Sequence, residues 1–259
     1  MSGNPGASAT PSPSRGKLEG RIALITGASR GIGYHAAKAF AAAGAHVIAL
    51  ARTTGGLEEL DDEITAAGGS ATLVPLDLTD YAGIDRLGGT IHERWGKLDI
   101  FFANAGILGS LSPLGHVTPK EWDQVIAVNV TANWRLIRSL DPLLRQSDAG
   151  RVIVMSAGTA HTCRPFWGPY SVSKAALEAL ARTYAGETKK TPIRVVLVNP
   201  GPMRTAMRAT AMPGEDPESL AHPGELAPHL IEMASPDFDR TGVLFDFPSK
   251  KFLDFQNPG

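Results

Sequence analysis

The sequence is poor in the residues from which disulfides, membrane spans and nucleic-acid surfaces are built. Its one cysteine, Cys163, excludes an intrachain disulfide and suits a reducing compartment, with the cytoplasm as the expected location. No apolar run approaches the ~18 residues of a membrane-spanning helix, and the first residues lack the hydrophobic stretch of a secretory signal. Charge of neither sign is in excess. The net charge is −1 and no basic block stands ready to neutralise phosphates, so neither nucleic acid nor a membrane surface is an expected partner. Seven histidines are scattered without ligand spacing, and no metal site is expected. Residues 1–17 are mostly Ser, Pro, Gly and Ala, the composition of a disordered tail. Residues 18–259, in a chain that is 43% hydrophobic, are enough for one α/β domain with a large core.

Short apolar runs alternate with helical patterns along those residues. Residues 21–26 read as a strand, followed by Gly27-Ala28-Ser29-Arg30-Gly31-Ile32-Gly33 and then a helix over 34–43. Strand, glycine turn and helix in that order form a cradle for a dinucleotide. Glycines admit the pyrophosphate close to backbone, and the helix N-terminus favours its charge. The spacing is GxxxGxG, and an ordinary tight turn is the competing reading. Gly27, Ser29, Arg30, Gly31, Ile32 and Gly33 are the expected cofactor contacts. Residues 46–50 form a second strand that ends at Ala51-Arg52, where an NAD-preferring site would carry an acidic side chain. Arg52 and Arg30 instead favour a 2′-phosphate, which arginine grips with paired charged hydrogen bonds, so NADP(H) is expected, with NAD(H) as the second possibility.

A helix over 57–67, a strand over 71–76 and a helix over 82–95 follow. Asp77 and Leu78, at the end of that strand, are expected near the adenine. Residues 98–103 have the character of a buried parallel strand and lead to Asn104-Ala105-Gly106, small residues that let backbone lie against a cofactor. Thr118-Pro119-Lys120-Glu121 is a helix start, and the helix is expected to run to about 144 with Asn129 inside it. Asn129 either bonds backbone or holds a water. Further strands are expected at 151–155, 193–198 and 242–247, with a short helix over 225–234. The pattern predicts a single-domain Rossmann-type α/β fold, a doubly wound parallel β-sheet of about seven strands with helices on both faces. Ligands bind beyond the carboxyl ends of such strands, where Gly27, Asp77, Asn104, Ser156 and Asn199 all fall.

Tyr170 and Lys174 are four apart on a helix-like segment, so phenol and ammonium share one face, one turn apart. A phenol with pKa about 10 is a poor acid–base catalyst at neutral pH, and bringing it there would require roughly 4 kcal/mol from Lys174 and its surroundings. A helix that carries Tyr and Lys at this spacing by chance is the bland alternative.

The glycine turn from Thr26, Asn104-Ala105-Gly106, Asn129, Tyr170-x-x-x-Lys174 and Pro200-Gly201 stand in the order and spacing of the short-chain dehydrogenase/reductase family, which residues 18–247 resemble. The resemblance implies hydride transfer at a nicotinamide, by an NAD(P)-dependent oxidoreductase acting on a carbonyl or alcohol. It implies that Tyr170 is the acid–base catalyst, that Lys174 binds the nicotinamide ribose and lowers the tyrosine pKa, and that Asn129 anchors a relay water. A serine orients the substrate oxygen, and Thr205, after Pro200 and Gly201, bonds the carboxamide. That serine usually lies about thirteen residues before the tyrosine, where this chain has Ala157. Three readings stay open: Ser156 serves, Thr159 reaches in, or the hydroxyl is missing; Ser156 is the expected residue. The uncertain hydroxyl motivates an alternative function, a dinucleotide-binding sensor or scaffold with little turnover.

Residues 202–224 carry three methionines and four prolines with little periodicity, and are expected as an irregular lid over the substrate. Cys163, Phe166 and Trp167 could wall the pocket or pack on a neighbouring subunit. Family members usually pair through the helices at 119–144 and 170–188, and Ala175, Ala176 and Ala179 would permit close packing, so a homodimer or homotetramer is expected. The identity of the substrate is not written in these stretches.

Overall fold

Every expected strand forms, and all join one sheet. In the computed structural model, which describes residues 16–255, they are β1 (Ile22–Thr26), β2 (His46–Ala51), β3 (Ser70–Pro75), β4 (Ile100–Ala103), β5 (Arg151–Met155), β6 (Arg194–Asn199) and β7 (Val243–Asp246). An eighth, β8 (Lys251–Asp254), was not expected. The order is β3-β2-β1-β4-β5-β6-β7-β8, parallel from β3 to β7, with β8 antiparallel against β7. The chain runs outward from β1 to β3, returns to place β4 beside β1 with Ile25 opposite Phe102, and then builds in the other direction. A crevice opens at the carboxyl ends of β1 and β4, where the direction reverses.

Helices cover both faces, so β4 and β5 are buried at every residue rather than at alternate ones. Successive side chains point to opposite faces. Ile25, Phe102 and Ile153 pack against α1 (Gly31–Ala42), α2 (Thr54–Ala66) and α9 (Ala227–Ala234). Leu24, Phe101 and Val152 pack against α3 (Tyr81–Trp95), α5 (Ala132–Leu144) and α7 (Gly168–Glu187).

Three differences from expectation bear on the site. The helix expected over 119–144 is divided into α4 (Pro119–Ile126), a π-helical segment at 127–131 that contains Asn129, and α5. The capping box at Thr118 forms as the sequence suggests, with Glu121 as its partner. Residues 202–224 are less irregular than expected: they carry α8 (Ala206–Ala211), and a bridge between Met203 and Ala221 ties their two ends together. Between α6 (Thr159–Thr162) and α7, Cys163 and Phe166 take positive φ values, which sharpens the turn into the helix of Tyr170. The tail expected at 1–17 lies outside the described residues except for Gly16 and Lys17, and Lys17 pairs with Glu232. No described helix is long and apolar enough to cross a membrane.

Candidate active site

The glycine turn closes the gap between β1 and α1. Gly27 has φ 69°, a conformation that costs other residues energy, and a Cβ on Gly33 would lie 2.3 Å from the Gly27 carbonyl oxygen. Only glycine lets helix and turn approach so closely. Arg30 precedes α1 without capping it through its side chain, which leaves the first amides of the helix available to an anion. Asn104 ties β4 to the turn: its Nδ2 donates to the Thr26 carbonyl at 2.9 Å, and its backbone N–H donates to Thr26 Oγ1 at 3.1 Å. A Cβ on Gly31 would meet the Thr205 methyl at 3.5 Å, so the segment after Pro200-Gly201 reaches back over the turn. The close approach of turn and helix and the uncapped start of α1 fit a dinucleotide.

At the end of β2, Arg52 is exposed and lies 3.7 Å from Asp77. The Asp77 carboxylate also accepts bonds from the Thr79 backbone N–H at 2.8 Å and the Thr79 hydroxyl at 2.7 Å. Those bonds, then Arg52, hold it below the usual carboxylate range. Leu78 is buried among Leu50, Ile84 and Phe101, so its side chain belongs to the core.

Tyr170 and Lys174 lie in the first turns of α7 and are 9% and 2% exposed. The Lys174 ammonium donates to the Met155 carbonyl at 2.7 Å and stands 5.7 Å from the centre of the tyrosine ring. Burial pushes the phenol up to about 12. Burial also lowers Lys174 to about 8, against the carboxylate of Glu178, which raises it.

Asn129 is fully buried, and both polar atoms of its side chain are hydrogen-bonded. Its Nδ2 donates to the Ile107 carbonyl and to Ser173 Oγ, both at 2.9 Å, and its Oδ1 accepts from the Ile107 N–H at 2.8 Å. The bonds to the Ile107 backbone match the first of the two readings of Asn129.

Ser156 does not join Tyr170. It is 1% exposed, and its hydroxyl donates to Glu178, two turns further along α7. The next residue, Ala157, packs instead in an apolar cluster with Tyr170, Leu108, Leu111, Trp167, Ala211 and Met212. Trp167 meets the tyrosine edge-on, with ring centres 6.1 Å apart. Phe166 and Cys163 are exposed. Thr159 Oγ1 is buried without a hydrogen-bond partner among the described residues. Sequence reasoning missed Glu178 and Leu108; Glu178 had one available signal, its place one turn after Lys174. No group of three or more His, Cys, Asp or Glu is placed to hold a metal among the described residues.

A family model for the short chain dehydrogenase matches residues 21–216. The oxidoreductase YciK of Escherichia coli K12 is 37% identical over 238 residues, 90% of this chain and 94% of that protein. An NAD-dependent oxidoreductase of Mycobacterium tuberculosis is 34% identical over 206 residues, 74% of each chain. Among solved structures, a short chain dehydrogenase of Shigella flexneri 2a, complexed with NADP, superposes with a TM-score of 0.87 at 36% identity, covering 91% of this chain and all of that one.

Proposed function

The chain belongs to the short-chain dehydrogenase family, and on that premise we propose that it is an NADP(H)-dependent oxidoreductase interconverting an apolar ketone or aldehyde and its alcohol. The observation that carries this reading is the pairing of Tyr170 and Lys174 on α7 beside an apolar cluster, next to a glycine turn shaped for a dinucleotide. The nicotinamide, when bound, supplies or accepts the hydride at the carbonyl carbon. The protein moves the proton. Tyr170, its phenol held protonated by burial, gives that proton to the substrate oxygen and takes it back in the reverse direction. Lys174, charged below about pH 8, holds the ribose and draws negative charge toward the phenol as the proton leaves.

Gly27, Ser29, Arg30, Gly31, Ile32 and Gly33 hold the phosphates, and Asn104, Ala105, Gly106, Pro200, Gly201 and Thr205 line the nicotinamide end. Asp77 and the backbone of Leu78 face the adenine. Arg30 and Arg52 receive the 2′-phosphate, and the bound NADP of the Shigella relative supports this preference. Asn129 shapes the Gly106 backbone through Ile107. Ser156 is turned to Glu178, so Ala157 faces the substrate and the oxygen meets one hydroxyl, that of Tyr170.

The same missing hydroxyl favours a second reading, a dinucleotide-binding sensor with little turnover. One experiment separates the two: loss of NADPH absorbance over a panel of apolar aldehydes and ketones, with NADH and the Tyr170→Phe variant alongside. Consumption of NADPH in proportion to alcohol formed supports the oxidoreductase. Tight binding without turnover supports the sensor, and a variant still within about threefold of wild type removes Tyr170 from the chemistry.

A further inference from the structure

A buried carboxylate that takes no part in the proposed proton transfer lies one helical turn beyond Lys174. Glu178 is 5% exposed and accepts a hydrogen bond from Ser156 Oγ. From α6, His161 Nε2 approaches the same oxygen to 3.1 Å. The His161 side chain is half exposed and its ring stacks on Phe255, so the cluster runs from the surface inward to Lys174. Consecutive residues at the end of β5 touch the two members of this helical pair. The Met155 carbonyl receives the ammonium, and the Ser156 hydroxyl serves the carboxylate.

We propose that Glu178, clamped by Ser156 and His161, is the counter-charge that keeps buried Lys174 protonated, and that Ser156 serves this carboxylate rather than the substrate. This rests on the oxidoreductase reading, in which Lys174 must be charged. An ammonium removed from water loses its hydration, and a carboxylate one turn away on the same helix offsets part of that loss. The groups facing Lys174 are Tyr170 and Glu178 from α7, the Met155 carbonyl from β5 and, across Gly106, Asn129 from the π-helical segment. Those facing Glu178 are Lys174, Ser156 and His161. Arg182, one turn further on, lies over the Phe255 ring at 4.3 Å. Asp246 of β7 is bonded to Asn199, whose side chain borders Gly158. Glu178 is therefore a positioning residue, and its signature is a pH profile.

Lys174 is charged below its pKa and neutral above it, so carbonyl reduction falls as pH rises through that value. Loss of the Glu178 charge moves this alkaline limb to lower pH. The test records kcat and kcat/KM against pH, with NADPH affinity at each pH, for wild type, Glu178→Gln, Glu178→Asp and Ser156→Ala. Glu178→Gln is expected to move the limb down by about one pH unit, a tenfold loss above it. Glu178→Asp, which keeps the charge, restores the limb, and Ser156→Ala moves it the same way by less. A limb that stays in place in Glu178→Gln overturns the proposal. So does a Ser156→Ala variant whose plateau kcat falls about a hundredfold with the limb unmoved, since that places Ser156 on the substrate. If Glu178→Gln does not fold, the limb in Ser156→Ala decides: unmoved, it overturns the proposal, and shifted downward, it supports it. Tyr170→Phe keeps the two readings apart: if it remains active the oxidoreductase reading fails, and if it is dead while the limb is unmoved only the counter-charge is lost.

Discussion

Asn129 and Lys174, from different helical segments, flank one backbone position: a Cβ on Gly106 would lie 3.3 Å from Asn129 Oδ1 and 3.5 Å from Lys174 Nζ. The first contact is tight and the second an ordinary one, so a larger side chain would press on both. Asn129 is held by Ile107 and Ser173, and Lys174 by Met155. Gly106→Ala is therefore expected to weaken NADPH binding about tenfold and Gly106→Val to abolish it, read by fluorescence titration. Unchanged affinity in the valine variant would remove Gly106 from the cofactor site.

Ala157 lies in the apolar cluster of Tyr170, where a hydroxyl could give the substrate oxygen a second donor. A single oriented donor in such a site typically contributes ~10²–10³-fold in rate. Ala157→Ser is expected to raise kcat for carbonyl reduction at least about tenfold, the lower end reflecting a site not otherwise built for it. A fall of similar size in Thr159→Val would hand the role back to Thr159, whose hydroxyl has no partner among the described residues.

Arg52 is exposed at the end of β2, with Asp77 as its one ion-pair partner among the described residues. Its loss would leave a 2′-phosphate with Arg30 alone while hardly affecting a cofactor that lacks that phosphate. Arg52→Ala is expected to raise KM for NADPH about tenfold or more and to leave KM for NADH within about threefold. Equal effects on both cofactors would sink the assignment of Arg52.

Trp134 on α5 is 46% exposed and Val172 on α7 is 44% exposed, large apolar surfaces on the two helices expected to pair with another copy. A second copy that covers them stabilises the protein by burying apolar area. Light scattering is expected to give at least a dimer for the wild type and a monomer for Trp134→Glu. A wild-type monomer at micromolar concentration would count against pairing.

Much of the fold was legible because its signals are local. Apolar runs of strand length, the glycine turn after β1, the capping box at Thr118 and the i,i+4 spacing of Tyr170 and Lys174 all sit within a few residues of one another. Strand β8 was not legible. Lys251–Asp254 is short and mostly exposed, and it is a strand because β7 offers an edge, which no local pattern announces. The division of the helix around Asn129 was equally hidden, since the π-helical segment is associated with bonds to Ile107 and Ser173 that are distant in sequence.

The sequence by itself determined the order of strands and helices, the cradle at Gly27–Gly33 and the phenol–ammonium pair, because periodicity and short motifs act through neighbouring residues. Only the tertiary structure decided which of Ser156 and Ala157 turns toward Tyr170, because at the end of a strand successive side chains point to opposite sides and the sheet must be in place before either side has an identity. It also decided that Tyr170 is buried by residues distant in sequence, which raises the energy of its charged form.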